Sequence, residues 1–543
     1  MAIDTPAPPA DAAPQPRRRF APPLGAGLES WILGGVFSLY CWLLGPATSD
    51  LAAATFRSDL FSANGVLIYN AQWYDGHHLP AYSLLSPPLG ALIGTRLMAA
   101  LFTFGSIVVF ERIVVPRYGT AGRIGAVLFA ITAGSSLLIG RVAFAVGLFF
   151  LVLAVYYWLK DRFVLACVAA VGSALGSPLA GLFLAMLAGV WFLVTKGLSR
   201  RAWGIAIAVA AVAPSLILQF AFREGGTFPY GWISFLQLVL FCALFILAVP
   251  WERSYLLVHA TIAAYLLAGL YAQLVPSQLG GNINRLGTIV GAPILAALLW
   301  NTRRRLYLLI ALPYLIWWPI HSVIRDIPDA GGAITESSYY QPLNDALART
   351  LKTPARIEIP PTRNHWEGVY VGKHFELARG WERQLDQKYA NLFYGTVITP
   401  ANYKAWLDRN AVSYVAVSDG AADFASRSES DFLIQETPSY LRPVWRNENW
   451  VLYAVADPTP LLSGPGRLTG TTADSFKLVA ERPGRFVMRL HFSPYWAVTT
   501  GSGCVAPARG NWTEVTLKRA GTAEVSMSWS PIRAVRQSRP RCS

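Results

Sequence analysis

Apolar stretches long enough to cross a bilayer, roughly 17 to 25 residues apiece, recur through the first 324 residues of the chain, with short polar segments between them. They run near 27–46, 88–110, 123–140, 142–159, 163–177, 179–195, 204–222, 232–250, 255–275, 287–300 and 306–324. The pattern predicts an α-helical polytopic membrane bundle of about eleven spans, because a segment surrounded by hydrocarbon satisfies its backbone internally only as a helix or a closed barrel. Two of the runs are short and meet at GSPLAG (Gly176 to Gly181), so 163–195 is read either as two thin, tilted helices or as a re-entrant hairpin. After Arg325 the pattern becomes that of a water-soluble chain. SYYQPLNDALARTL, RIEIP, ANYKAWLDRNA, VSYVAVS and WVLYAVA alternate helical and strand periods and predict an α/β module over 325–460. FKLVAE, RFVMRLHF, TEVTLKR and AEVSMSWS read as short strands broken by Gly and Pro, which predicts a small β-sandwich over 461–543.

Charge refines this picture. Only 14% of the residues are charged, against roughly 25% in soluble proteins, and the basic ones gather in alternate loops. Arg112, Arg117 and Arg123 share one such loop, Lys160 and Arg162 the next, then come Lys196, Arg200 and Arg201, then Arg253, then Arg303, Arg304 and Arg305. Basic loops stay cytoplasmic, and Arg17, Arg18 and Arg19 hold the N-terminus on that side as well. An odd number of spans then puts the tail outside, at a bacterial inner (plasma) membrane. Residues 1–26 are expected to form a disordered, Pro/Ala-rich cytoplasmic lead, since they lack the apolar core and cleavage site of a signal peptide. The net charge of +15 is scattered over short loops instead of forming one basic face, which argues against nucleic acid as a partner. Cys41, Cys167 and Cys242 lie in spans as small hydrophobes. Cys504 and Cys542 lie in the exported tail, where they either pair as a disulfide that pins the C-terminus or stay free. There is no CxxC or HExxH spacing and no two-carboxylate metal site, so no metal or other cofactor is expected.

The connection between the first two spans, 45–87, is unusually long, and loops of that length are mostly functional. It gathers Asp50, Arg57, Asp59, Asn70, Trp73, Asp75, His77 and His78 at the outer membrane surface. A carboxylate there can accept a proton from a hydroxyl nucleophile, and Arg or His can neutralise a phosphate leaving group. A plainer account stands beside it. Asp59 would pair with Arg57, the histidines would rest on backbone carbonyls, and Ser49 or Asp50 would cap an amphipathic helix over SDLAAATFRSDLF.

Asp50 in a long first outer loop, the WYDGHHLPAYSLLSPPLG segment leading into the second span, and a bundle followed by an exported module together resemble the GT-C type glycosyltransferases. In the tail, YKAWLDRNAVSYVAVSD and LHFSPYWAVTTGSG are similar to extracytoplasmic modules of bacterial relatives. The class uses polyprenyl-linked sugars on the outer face of a membrane. No WWDYG-like motif of oligosaccharyltransferases is present, which favours a monosaccharide-phosphate lipid as donor. The resemblance implies Asp50 as general base in an inverting displacement, with Asp59 or Asp75 in reserve. It implies donor-phosphate contacts from Arg285, in PSQLGGNINRLG, and from His77 and His78, with Arg141 and Arg223 as further candidates. An Arg at a span end also snorkels to headgroups, whereas Arg285 lies among Gly280, Gly281, Asn282 and Asn284, polar backbone tolerated at membrane depth where it lines a cavity. By analogy the sugar is arabinofuranose or a hexose and the acceptor a cell-envelope glycan.

In the tail, HWEGVYVGKHFELARGWERQLDQKY (365–389) offers Glu367, Trp381, Glu382 and Arg383 as the wall of an acceptor groove, or else as a solvated helix face. Trp366, Trp381, Tyr495, Trp496 and Trp512 can stack on sugars or fill a core. His259 and Gln219 read as hydrogen-bonding groups between helices. Two other functions compete with the enzyme. One is a transporter or flippase of polyprenyl-linked glycans, for which two halves with matching broken spans would be expected. The other is a non-catalytic scaffold for envelope assembly.

Overall fold

The computed structural model describes residues 27–328 and 330–536. The expected lead over 1–26 and Cys542 lie outside the described residues. The chain is a helical bundle followed by a β-rich part. Among the described residues seven helices are long and apolar enough to cross a membrane: Thr95–Tyr118, Thr120–Leu138, Val142–Leu159, Leu198–Ala221, Arg253–Leu274, Gly280–Leu299 and Arg305–Asp326. The pair Leu28–Leu44 and Ser49–Asn64 qualifies only jointly and is bent by 67°. Phe163–Gly176, Pro178–Val194 and Trp232–Ala248 are shorter apolar helices. The structure thus supports a multi-pass membrane protein without meeting the full expected count of eleven.

The breaks have local causes. The first helix stops at Gly45-Pro46, where a side chain at 45 would stand 2.4 Å from the Cys41 carbonyl oxygen. The run expected over 88–110 is split at Gly94, whose φ of +85° favours glycine, into helices Ser86–Ile93 and Thr95–Tyr118. Residues 163–195 form two helices hinged at Ser177, whose backbone is extended ahead of Pro178. Inside the bundle, Ile107, Phe129, Phe144, Leu184, Leu295 and Leu315 share one buried cluster.

Beyond the last long helix, five strands form a mixed sheet in the order Glu376–Leu377, Arg356–Glu358, Val412–Ser418, Trp450–Val455, Leu441–Arg446. The first three run parallel and the rest pair antiparallel. Two four-stranded antiparallel sheets follow, and Phe476, Leu478, Phe486, Met488, Val515 and Val525 fill the core they share. Cys504 is disulfide-bonded.

The long first loop is the wedge that joins these parts. Trp73 stacks on Phe56 at 3.8 Å and donates from Nε1 to the Gly368 carbonyl at 3.3 Å. The Leu377 N–H donates to the Gln72 carbonyl at 2.8 Å, and the Ala71 N–H to that of Ala473 at 2.7 Å. Tyr74, Asp75 and Gly76 all take positive φ, at 55°, 58° and 97°, a run that side chains resist. Deep ion pairs and packing from both exported parts hold it there. Asp75 pairs with the fully buried Arg356 at 2.9 Å, and the His491 N–H donates to the Asp75 carbonyl at 2.7 Å.

Candidate active site

A cavity of about 920 Å³ lies where one end of the helical bundle meets the C-terminal part. Helix Ser49–Asn64 gives it one wall, presenting Asp50, Ala53, Ala54 and Arg57. These positions recur at the spacing that shares one helix face, and Asp50 and Arg57 stand about 10 Å apart along the axis. The two alanines between them leave room for a ligand.

Asp50 does not cap this helix. Thr48 occupies the N-cap position without a side-chain cap bond, and its hydroxyl donates to the Ile139 carbonyl at 2.7 Å. That contact depends on Gly140, since a β-carbon there would stand 2.5 Å from Thr48 Oγ1 and 2.8 Å from Leu51 N. The close approach brings Arg141 to the mouth of the helix beside Asp50, and both line the cavity. Among the described residues Asp50 makes no hydrogen bond or ion pair, and neither Arg141 nor Arg285 has a carboxylate partner within ion-pair distance. Arg141 Nε is buried without an acceptor.

Arg285 sits in the first turn of helix Asn284–Leu299, after the turn Gly280–Ile283, with its guanidinium 5.7 Å from the Phe144 ring centre. The polar segment is tied down by Asn284, which accepts from Tyr230 and donates to the Ser234 carbonyl, each at 2.8 Å. The Asp50 carboxylate therefore shares one enclosure with two guanidiniums that have no carboxylate partner among the described residues.

The exported part supplies the opposite wall. Glu382 pairs with Arg57, whose guanidinium also lies 4.0 Å over Tyr82. Arg383 is held between the rings of Trp381 (4.7 Å) and Phe424 (4.3 Å), and donates to the Tyr394 hydroxyl at 2.6 Å. The other face of Trp381 is covered by His365, stacked at 3.5 Å. His365 lies between Glu367 (3.5 Å) and Asp423 (3.7 Å). Burial opposes its protonation, but the two carboxylates outweigh it and hold the imidazole above its ordinary pKa. Burial likewise opposes ionisation of Asp423, and His365 and Arg383 outweigh it, holding the carboxyl well below the usual range.

Of the residues singled out in the sequence, Asp50, His78, Arg141, Arg285, Trp381, Glu382 and Arg383 line the cavity. The others lie elsewhere. Asp59 is exposed, because nine residues at 100° each place it opposite Asp50 on the helix. It does not pair with Arg57, which Glu382 has taken. Asp75 is enclosed with Arg356, and burial pushes its carboxyl up to about 7. His77 is buried with Nδ1 3.3 Å from the Trp73 carbonyl, and burial lowers its pKa to about 4, so it is uncharged at neutral pH and a poor phosphate ligand. Arg223 is exposed over Phe220 at 5.2 Å. Glu367 accepts from Thr362 at 2.5 Å behind His365.

Sequence reasoning missed Glu224, Asp423 and Phe424, and it read Arg57 either as one of the loop's charged functional groups or as a partner for Asp59, not as the partner of Glu382. Glu224 carried a faint signal, an acid beside two glycines in the loop after the run at 204–222. It accepts from the His78 N–H at 2.6 Å and from the Tyr389 hydroxyl at 3.0 Å, clamping the loop to the exported part. His78 Nε2 lies 3.0 Å from Ser493 Oγ, completing a Ser–His–Glu order, but Ser493 is fully enclosed and the chain acts as a strut. Among the described residues no three His, Cys, Asp or Glu side chains gather as metal ligands would.

No protein-family model matches the sequence, and no curated protein matches it. Solved structures do align. The cryo-EM structure of arabinofuranosyltransferase AftD from Mycobacteria aligns over 93% of this chain at 11% identity with a TM-score of 0.48. This chain spans 57% of the length of that one. The crystal structure of the Archaeoglobus fulgidus oligosaccharyltransferase, tethered to an acceptor peptide, aligns over 72% of this chain and 69% of its own, at 10% identity and a TM-score of 0.41.

Proposed function

We propose that this protein is a membrane glycosyltransferase that moves a sugar from a polyprenyl-phosphate donor to a cell-envelope glycan on the outer face of the membrane. Asp50 takes the proton of an acceptor hydroxyl as its oxygen attacks the anomeric carbon. The bond from that carbon to the phosphate oxygen breaks, polyprenyl phosphate leaves, and the configuration inverts. Arg141 and Arg285 stabilise the departing phosphate charge, and Arg57, Glu382 and Arg383 form the acceptor side. Arabinofuranose or a hexose is the sugar, and no metal takes part.

The observation that carries this reading is the unpartnered carboxylate of Asp50 in one cavity with two guanidiniums that have no carboxylate partners among the described residues. The cavity wall also includes Leu182 and Ile233, apolar and exposed, as suits a donor with a lipid tail. The test is transfer of labelled sugar from synthetic polyprenyl-phosphate donors by purified protein in nanodiscs. Asp50→Asn, at matched folding, is expected to lower turnover by roughly 10²- to 10⁴-fold, the usual worth of a general base. Arg285→Ala is expected to slow release of the phosphate. Undiminished transfer by Asp50→Asn would refute the assignment of the base. Folded protein that binds these lipids and processes none would favour the transporter or scaffold.

A further inference from the structure

The last described helix, Pro531–Arg536, lies directly against the outer end of span Leu198–Ala221. Ala534 packs into a small cluster with Phe222 and Tyr495, which Leu218 and Ala221 flank. Two further contacts fix the height of this helix. The Tyr495 hydroxyl donates to the Ala221 carbonyl at 2.7 Å, and Arg533 donates to the Tyr495 carbonyl at 3.3 Å. It therefore sits level with the final turn of a span.

With Ala534 turned inward, the opposite face is apolar and open. Ile532 is 63% and Val535 71% exposed, at a helical spacing of three residues that keeps them on one side, and Trp529, just ahead of the helix, is 56% exposed. In the adjoining last turn of the span, Ile217 is 66% and Phe220 50% exposed. The two sets extend the lipid-facing surface of the bundle onto the exported part. Charge agrees with this. Residues 525–543 contain Arg533, Arg536, Arg539 and Arg541 and no acid. An apolar face with Trp at its edge, in a stretch of basic composition, suits the headgroup layer.

We infer that the segment 529–535 is a membrane-surface anchor: Trp529, Ile532 and Val535 enter the lipid beside the span ending at Ala221. The anchor braces the exported part against the bundle through the Tyr495 to Ala221 contact, some distance from the cavity chemistry.

The experiment uses full-length protein in nanodiscs whose lipids carry brominated acyl chains, which quench a nearby bimane. The label is placed by Ile532→Cys and, as a control, by Arg482→Cys. Arg482 follows the strand end at Ala480, which pairs with Gly521 at the far end of strand Gly521–Met527, roughly 20 Å from Met527. Labelled parent protein gives the baseline from Cys41, Cys167 and Cys242. Bimane at 532 is expected to lose most of its emission while the label at 482 keeps it. Equal emission at the two sites would overturn the anchor.

Discussion

Gly380→Ala tests how the C-terminal part holds the helix Ser49–Asn64 that carries Asp50. A β-carbon at 380 would stand 2.2 Å from Trp73 Cδ2, where ordinary contact begins at 3.4 Å, so the ring and the 380 backbone must separate by 3.4 − 2.2 = 1.2 Å. The ring has nowhere to go, because its other face is stacked on Phe56 at 3.8 Å and its Nε1 is tied to Gly368. Overpacking of this kind costs about 1–3 kcal/mol, and at roughly 2–4 °C per kcal/mol for a unit of 150–250 residues that is a fall of about 2–12 °C in Tm. Trp73→Leu removes the clashing ring at its own cost of a few kcal/mol, up to about 3–5 for a full truncation. The double variant should therefore be more stable than the sum of the two singles, by about 0.5–3 kcal/mol. Thermal unfolding of the four proteins in one detergent reads this cycle. Glu382 is two residues from the substitution and pairs with Arg57, so Gly380→Ala should also weaken acceptor use before it affects donor binding. An unchanged Tm for Gly380→Ala, or strict additivity in the double variant, would refute the argument.

Asp75→Asn isolates one titration. The folded-state pKa of Asp75 is raised from 3.8 to about 7, so the native state holds a proton that the unfolded chain releases, and the associated stability declines as pH rises through that window. Buried His77 has the opposite sign, its pKa lowered from 6.5 to about 4, so the comparison must be made against the variant. Wild type should lose stability relative to Asp75→Asn from about pH 4 to about pH 7, and a constant difference in Tm would contradict the assignment. Trp381 has one face on His365 and the other on Arg383, so Trp381→Phe should leave acceptor KM nearly unchanged. Phe424, 62% exposed at the cavity, should raise it when replaced by Ala, and the reverse ranking would make Trp381 the sugar platform. With Arg141 and Arg285 supplying positive charge, EDTA should not affect turnover of purified protein, and loss of activity restored by a divalent cation would disprove the metal-free reading.

The membrane bundle and the β-rich tail were legible in the sequence because both are set by local rules: hydrocarbon selects long apolar helices, and alternation with Gly and Pro breaks selects short strands. Asp50 and Arg285 were legible for a related reason, since a charged or polar group beside a span is conspicuous against apolar neighbours. The span count was less so, because Gly94 splits the helix inside the run 88–110 and Phe163–Gly176, Pro178–Val194 and Trp232–Ala248 form helices shorter than the other spans. Which acids face the cavity was decided by tertiary structure alone. Asp59 and Asp50 differ by half a helical turn in direction, and Asp75 is drawn inward by Arg356, which lies 281 positions further along the chain. The acceptor wall is likewise a meeting of residues remote in sequence: Arg57 finds Glu382, and Arg383 finds Phe424 and Asp423. Residue type and period state what a segment can bury. Only the packed chain determines which charges are neutralised by partners within the fold, and which, like Asp50, Arg141 and Arg285, line the cavity without one.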